Sequence, residues 1–426
     1  MVNRIALTLV FTLSFLTYLM PELNVSLQLA PLILFAVLVY FRVFWSHQIL
    51  RAVGSLFELD GLLFVIFLSL LIVGPSIESK FDKSLEFALL ISVCLILARL
   101  YMAVVPISEI LEAFFWSGIV SIGLFTLLTF SSLVQSIRTL ERFSPFSFHP
   151  NLLGFLAAGY FCAMVWKFMT AARPMKILAG LVGLICLLIV FFTSSRGSIL
   201  GMVCGCVAVG GMSIARARKE GRIRLRRVAL ACGVLLLGFL LFHQSFAWTE
   251  DLYSFVDKAL AITDSYRGVD SGFTGRFDKW HATLNLLSDG TWLTGKGVRS
   301  SDSMQDNLID NSYLVLVYEL GLVPLILIMW RFVRILQRVV KSYFCSIDME
   351  QRRLCLACSL LMVAFLVNNI VARYLFGVGN PYSLLAFFFF VAPIERFVPK
   401  LAQSTGERKL PKCVVRLPAS NLQPSS

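Results

Sequence analysis

Apolar runs long enough to cross a bilayer recur along almost the whole of this chain, and they leave few folds open. Hydrocarbon offers no water to backbone N–H and C=O groups, so each run must close its own hydrogen bonds as a helix. About twelve runs reach the required length, near 4–20, 27–45, 59–76, 84–105, 110–130, 152–172, 176–194, 197–215, 228–243, 312–331, 354–372 and 381–397. The first follows Asn3 and Arg4 and lacks a small-x-small cleavage pattern before Pro21, so it reads as a retained helix. Of the 426 residues, 58% are hydrophobic and 15% charged. A soluble domain averages about 45–50% and about 25%, so the expected class is an all-α polytopic membrane protein.

The formal charge of +13 is compatible with a nucleic-acid partner, but its distribution speaks for a membrane role. Arg216, Arg218, Lys219, Arg222, Arg224, Arg226 and Arg227 lie between the eighth and ninth runs. Arg334, Arg338, Lys341, Arg352 and Arg353 lie between the tenth and eleventh, and Lys400, Arg408, Lys409, Lys412 and Arg416 in the tail. Twelve crossings put all three groups on the side of the N-terminus, and the positive-inside rule makes that side cytoplasmic. They read as topology signals and headgroup contacts. The acid-rich stretch from Gln244 to Asn311 then lies outside, in a periplasm or its equivalent.

Five segments follow from this pattern: scaffold helices over 1–130, central helices with polar turns over 131–243, an external loop subdomain over 244–311, C-terminal helices over 312–398, and a disordered tail over 399–426. Helix-like spacing over Thr249–Leu260 and Phe277–Leu287, between turns marked by Gly268, Gly272, Gly275, Gly290, Gly295 and Gly297, makes the loop mainly helical. The loop holds none of the ten cysteines, so no disulfide framework is indicated, and Cys355 and Cys358 read as buried thiols. The first five runs show few charges.

Unusual polarity gathers in four places that twelve crossings put on one face: 136–151, 193–198, the long loop, and 368–374. Arg196 sits at a membrane edge ahead of Gly197, Ser198, Gly201 and Gly205. Small residues there admit close approach of a helix or a ligand, and a guanidinium can fork two donors onto a phosphate. The plainer reading of Arg196 is an interfacial anchor. Arg276 follows Gly272 and Gly275 and precedes Trp280, which can stack on a sugar or simply pack. Asp310 stands at a helix start, where it can cap the helix or take a proton from a hydroxyl. A helical run would bring Asp302 and Asp306 to its face, but no metal-ligand spacing supports a cation site, and no cofactor motif is present. His149 and Asn151 flank Pro150 before the sixth run; with Trp280, Asn311 and Arg373 they form the substrate-contact candidates.

Together these residues resemble the O-antigen ligase and polysaccharide polymerase superfamily of bacterial envelope proteins. The resemblance covers Phe148 to about Leu325. It rests on His149-Pro150-Asn151-Leu152-Leu153-Gly154, Ser195-Arg196-Gly197-Ser198 through Gly201, Thr274-Gly275-Arg276 through Trp280, and Asp310-Asn311 followed by Gly321. It implies a GT-C-like membrane glycosyltransferase in the bacterial inner membrane, active at the periplasmic face. The donor would be a glycan on a polyprenyl pyrophosphate and the acceptor a second glycan. Arg196 and Arg276 would stabilise the leaving pyrophosphate and Asp310 would act as base, giving inversion without a metal or cofactor. A chain-length regulator is a possible partner. Ligases of the family carry histidine where this chain has Asp310, and Pro324 replaces an expected glycine. That departure favours a polymerase over a ligase acting on a lipid A-core. A lipid-linked oligosaccharide flippase is the rival from another class; it calls for charges deep in spans of both halves, which the first five runs lack.

Overall fold

The computed structural model describes residues 2–19, 25–44, 48–55, 81–139, 142–145, 149–221, 272–287, 291–303, 310–375, 377 and 380–392. The expected spans near 59–76 and 228–243, the loop helix at Thr249–Leu260, Asp306 and the tail lie outside these residues.

The described elements are helical, with no strand among them. Helices α1 (Val2–Leu19), α2 (Val25–Val39, extended by a π-helical turn over Tyr40–Phe44) and α3 (Ile49–Gly54) come first. Then follow α4 (Phe81–Val104), α5 (Ile107–Thr139), α6 (Pro150–Thr170), α7 (Arg173–Phe192) and α8 (Arg196–Lys219). The C-terminal half adds α9 (Gly272–Leu286), α10 (Ser312–Leu320), α11 (Leu322–Cys345), α12 (Met349–Asn368) and α13 (Pro381–Val391). Among the described residues five helices, α4 to α8, have the length and hydropathy to cross a membrane. At 1.5 Å per residue α5 is about 50 Å long and overshoots a hydrocarbon core of about 30 Å. Apolar side chains on outward faces, among them Leu127, Ile177, Leu184 and Val207, are exposed as lipid-facing residues would be.

At the centre lies α13, buried along its whole length. Aromatic rings close around it: Tyr382 against Phe114, Phe155 and Phe365, and Phe388 against Phe11, Phe35 and Tyr101. The carbonyls at its end are met by two buried arginines. Arg331 Nε and Nη2 donate to Phe390 O and Ala392 O at 2.9 and 2.7 Å. Arg99 Nη1 donates to Val391 O at 2.7 Å, and its Nη2 reaches Ser55 O at 2.6 Å. The expected span near 84–105 therefore holds a buried charge near its end. Arg99 is bound to backbone carbonyls, which suits a cap better than a transport path.

A second correction concerns the expected span over 312–331. It breaks at Gly321, whose φ of 90° and ψ of 173° are open essentially to glycine alone. A short loop over 291–303 docks against the break. Lys296 and Gly297 amides donate to Tyr318 O and Glu319 O, and Leu322 N–H donates to Trp292 O, each at 2.8 Å. Ser301 Oγ donates to the buried Glu319 carboxylate at 2.5 Å. Ser84 Oγ, on the first turn of α4, holds Val298 O at 2.5 Å. The break persists because each of these backbone groups finds a partner in protein.

Candidate functional site

The described parts of the four polar clusters meet at one end of the bundle. Phe192, closing α7, accepts from Phe143 N–H at 2.8 Å, so the chain leaving α5 lies beside the α7–α8 turn. That turn packs against the start of α6 and the end of α12, where Asn368 Nδ2 donates to Ser198 Oγ at 3.2 Å. Gly201 and Gly205 allow α8 to lie directly on α12: an added Cβ would come within 2.7 Å of Ala364 O and 2.9 Å of Leu360 O. The described basic residues of the 216–221 and 334–353 segments lie at the other end. There Arg216 reaches Tyr343 O and Ser346 O, Arg352 approaches Glu220 at 3.7 Å, and Lys167 pairs with Glu112.

Asp310 and Arg276 face each other across the site, with Arg276 Nε 3.5 Å from Asp310 Oδ2. The Arg276 side chain is 17% exposed and that of Asp310 42%, so the cation is the more enclosed of the two. Arg276 Nε is buried and has no hydrogen bond among the described residues. An ion pair without an aligned donor is a loose one, and an anion entering the site can take it over. Trp280, one turn along α9, packs with Leu287 and Tyr318, so its ring anchors α9 on α10 and thereby carries Arg276 to Asp310.

Asp310 does not cap the helix that follows. Asn311 does, its Oδ1 accepting from Tyr313 N at 2.9 Å and Leu314 N at 3.2 Å. Asn311 is buried, so its role here is to hold the backbone that presents Asp310. Ser312 fastens the same point to the segment after α12, through Asn369 Oδ1 at 2.7 Å and Ala372 O at 2.8 Å.

His149 occupies the cap position of α6, with Pro150 at the first helical turn, but its imidazole makes no capping bond. Part of its surface is open, yet the crowding helix ends strip away enough water to hold its pKa below the usual histidine range. The Arg142 guanidinium beside it pushes the same way, as does Arg276, while Asp310 opposes them. The imidazole is thus neutral and within electrostatic reach of both members of the ion pair. Asn151 faces the same region but is occupied, its Oδ1 accepting from Arg142 Nη2 at 2.8 Å. Tyr374 is half-buried nearby, and loss of water around it pushes its phenol up, so it stays protonated.

Arg373 turns to the docked loop. Its Nη2 lies 2.7 Å from Asp302 Oδ1, and Arg299 Nε lies 2.5 Å from Asp302 Oδ2. Asp302 sits on a 3-10 turn over Ser300–Ser303, neutralised by two arginines, and no described helix joins it to Asp310. Arg196 opens α8 at this same end, directly after Ser194 and Ser195. The residue that reading the sequence missed is Arg142. It lies in the polar 136–151 cluster without a motif to single it out, and its acceptors are a side chain at the start of α6 and a carbonyl on the α7–α8 turn.

Residues 181–329 match the family model described as O-antigen ligase. No curated protein matches the chain. The matched stretch holds Arg196, Arg276 and Asp310, and excludes Arg142, His149, Asn151 and Arg373.

Proposed function

We propose that this chain is a polymerase of polyprenyl-pyrophosphate-linked oligosaccharide repeat units, a reading supported by the match of residues 181–329 to the O-antigen ligase family model. It works at the outer face of a bacterial inner membrane, building O-antigen or exopolysaccharide. The observation that carries the reading is the loose Arg276–Asp310 pair beside a neutral imidazole: one enclosed cation, one accessible carboxylate, and a further arginine, Arg196, at the same end. A donor diphosphate satisfies the unbonded Nε of Arg276 and is held also by Arg196. The same contact releases Asp310, which takes the proton from an acceptor sugar hydroxyl as its oxygen attacks the anomeric carbon. The bond to the diphosphate oxygen breaks as the new glycosidic bond forms, inverting that carbon, and the guanidinium groups bear the charge gathering on the leaving group. His149, neutral, can accept or donate a hydrogen bond to either sugar. No metal or cofactor takes part in these steps.

The position of the site supports an outward orientation, since the basic ends of α8, α11 and α12 lie at the opposite end of the bundle. Ligation to a lipid A-core or another acceptor is the second reading, favoured by the description of the matching family; Asp310, where ligases carry histidine, favours the polymerase. The test is which species accumulates in a strain lacking the protein, by mass spectrometry of extracted lipid-linked glycans. The polymerase reading expects single repeat units on the polyprenyl carrier at the outer face. Long polymer on that carrier overturns it in favour of a ligase, and single units trapped at the inner face in favour of a flippase.

A further inference from the structure

We propose that Arg142 is a positioning residue that fastens the turn preceding Arg196, and so aims that guanidinium at the donor diphosphate. The inference rests on the role given to Arg196 above.

The turn needs fastening. Ser194 has φ of 53°, a conformation that a residue with a side chain adopts at a cost. Arg196 N–H bonds only two residues back, to Ser194 O at 3.1 Å, before the regular ladder of α8 begins. Such backbone persists where its surroundings over-determine it. Arg142 supplies a large part of that surround. Its Nε donates to Thr193 O at 3.0 Å and its Nη2 to Asn151 Oδ1 at 2.8 Å. One planar side chain therefore joins three segments: the exit from α5, the start of α6 and the α7–α8 turn. Lysine cannot reproduce that fork, because its single nitrogen cannot reach both acceptors in the same geometry.

Two more contacts fix the same place. Phe143 N–H donates to Phe192 O at 2.8 Å, so the backbone beside Arg142 is itself paired with the end of α7. Gly154 lets α6 press on the turn: an added Cβ would overlap Ser195 Cβ and come 2.9 Å from both Ser195 Oγ and Thr193 Oγ1. Thr193, Ser194 and Ser195 are all buried as a result. With the turn clamped on both sides, the direction in which Arg196 leaves it is set by Arg142 and not by chain flexibility. The cation near His149 follows from the same arrangement, since Arg142 must lie close to the α6 start to bond Asn151.

The experiment uses the full chain in native membrane vesicles. Ser195→Cys is labelled with a membrane-impermeant maleimide, relative to the parent chain, with and without Arg142→Gln. The positioning role expects tenfold or faster labelling once the fork is lost, and an intermediate rate with Arg142→Lys, which also serves if Arg142→Gln fails to insert. Polymerisation is measured in parallel. Arg142→Gln is expected to lower kcat/KM tenfold or more through kcat, and to cause no further loss in an Arg196→Ala background. Unchanged labelling in folded Arg142→Gln or Arg142→Lys protein overturns the proposal, and so do losses from Arg142→Gln and Arg196→Ala that multiply. Full activity in Arg196→Ala would instead remove the donor role of Arg196, while the labelling still decides whether Arg142 holds the turn.

Discussion

Replacing Gly321 with alanine places a methyl group where the docked loop already has backbone. The new Cβ would overlap Leu293 O and lie 2.9 Å from Thr294 N, and neither is the tip of a flexible side chain. The φ of 90° adds strain of about 1–3 kcal/mol for a residue with a Cβ. Relief requires the loop to move away, which breaks the bonds from Lys296 N to Tyr318 O, Gly297 N to Glu319 O and Leu322 N to Trp292 O. At about 1 kcal/mol net for each, with more wherever a buried group stays unsatisfied, the total is roughly 4–6 kcal/mol. That is enough to undock the 291–303 loop while the long helices remain. Limited proteolysis of the protein in vesicles should then show cleavage within 291–303 that wild type resists, and transferase activity should fall at least tenfold as the approach to Asp310 loosens. A Gly321→Ala protein with wild-type protease resistance and wild-type activity would refute the reasoning that the break is held by this glycine.

Three other outcomes are expected. Asn311→Ala removes the cap of α10 and should lower stability by about 1–2 kcal/mol, read as a lower melting temperature in detergent, with Asn311→Asp recovering most of it. Arg99→Leu strands Val391 O and Ser55 O in the core and should cost roughly 2–5 kcal/mol, read as loss of folded protein on fluorescence size-exclusion. His149 has a folded pKa below its unfolded value, so the folded state resists protonation. Its contribution is full above the unfolded pKa of about 6.5 and is lost as pH falls from there through the lowered folded value. His149→Gln should therefore flatten the acid side of the stability profile, measured by thermal melts from neutral to mildly acid pH.

Much of the helical framework was legible because hydrocarbon imposes one rule on every run. The runs near 152–172, 176–194 and 197–215 appear as Pro150–Thr170, Arg173–Phe192 and Arg196–Lys219. The break at Gly321 was not legible, since the run around it is long and mostly apolar and its cause is backbone from Trp292 to Gly297 docked against it. Asp310 was visible as either cap or base; the choice between those depended on whether Asn311 could turn its side chain back on the helix, which composition does not reveal. Arg142 was hidden for a similar reason, because its acceptors are a carbonyl and an amide on two other segments. Arg373 read as a ligand contact; its pairing with Asp302, on a turn that folds back from far away in the chain, was not legible. The docked loop and the Arg142–Thr193 and Arg373–Asp302 contacts are long-range polar pairings, the kind of fact that local hydrophobic period cannot carry.

The most direct test of the account is the length distribution of surface polysaccharide on a gel, in a deletion strain carrying either the wild-type chain or Arg276→Ala at matched membrane levels. The account predicts that wild type restores the ladder and that Arg276→Ala leaves single repeat units in place of long chains. A full ladder from a correctly inserted Arg276→Ala protein would contradict it.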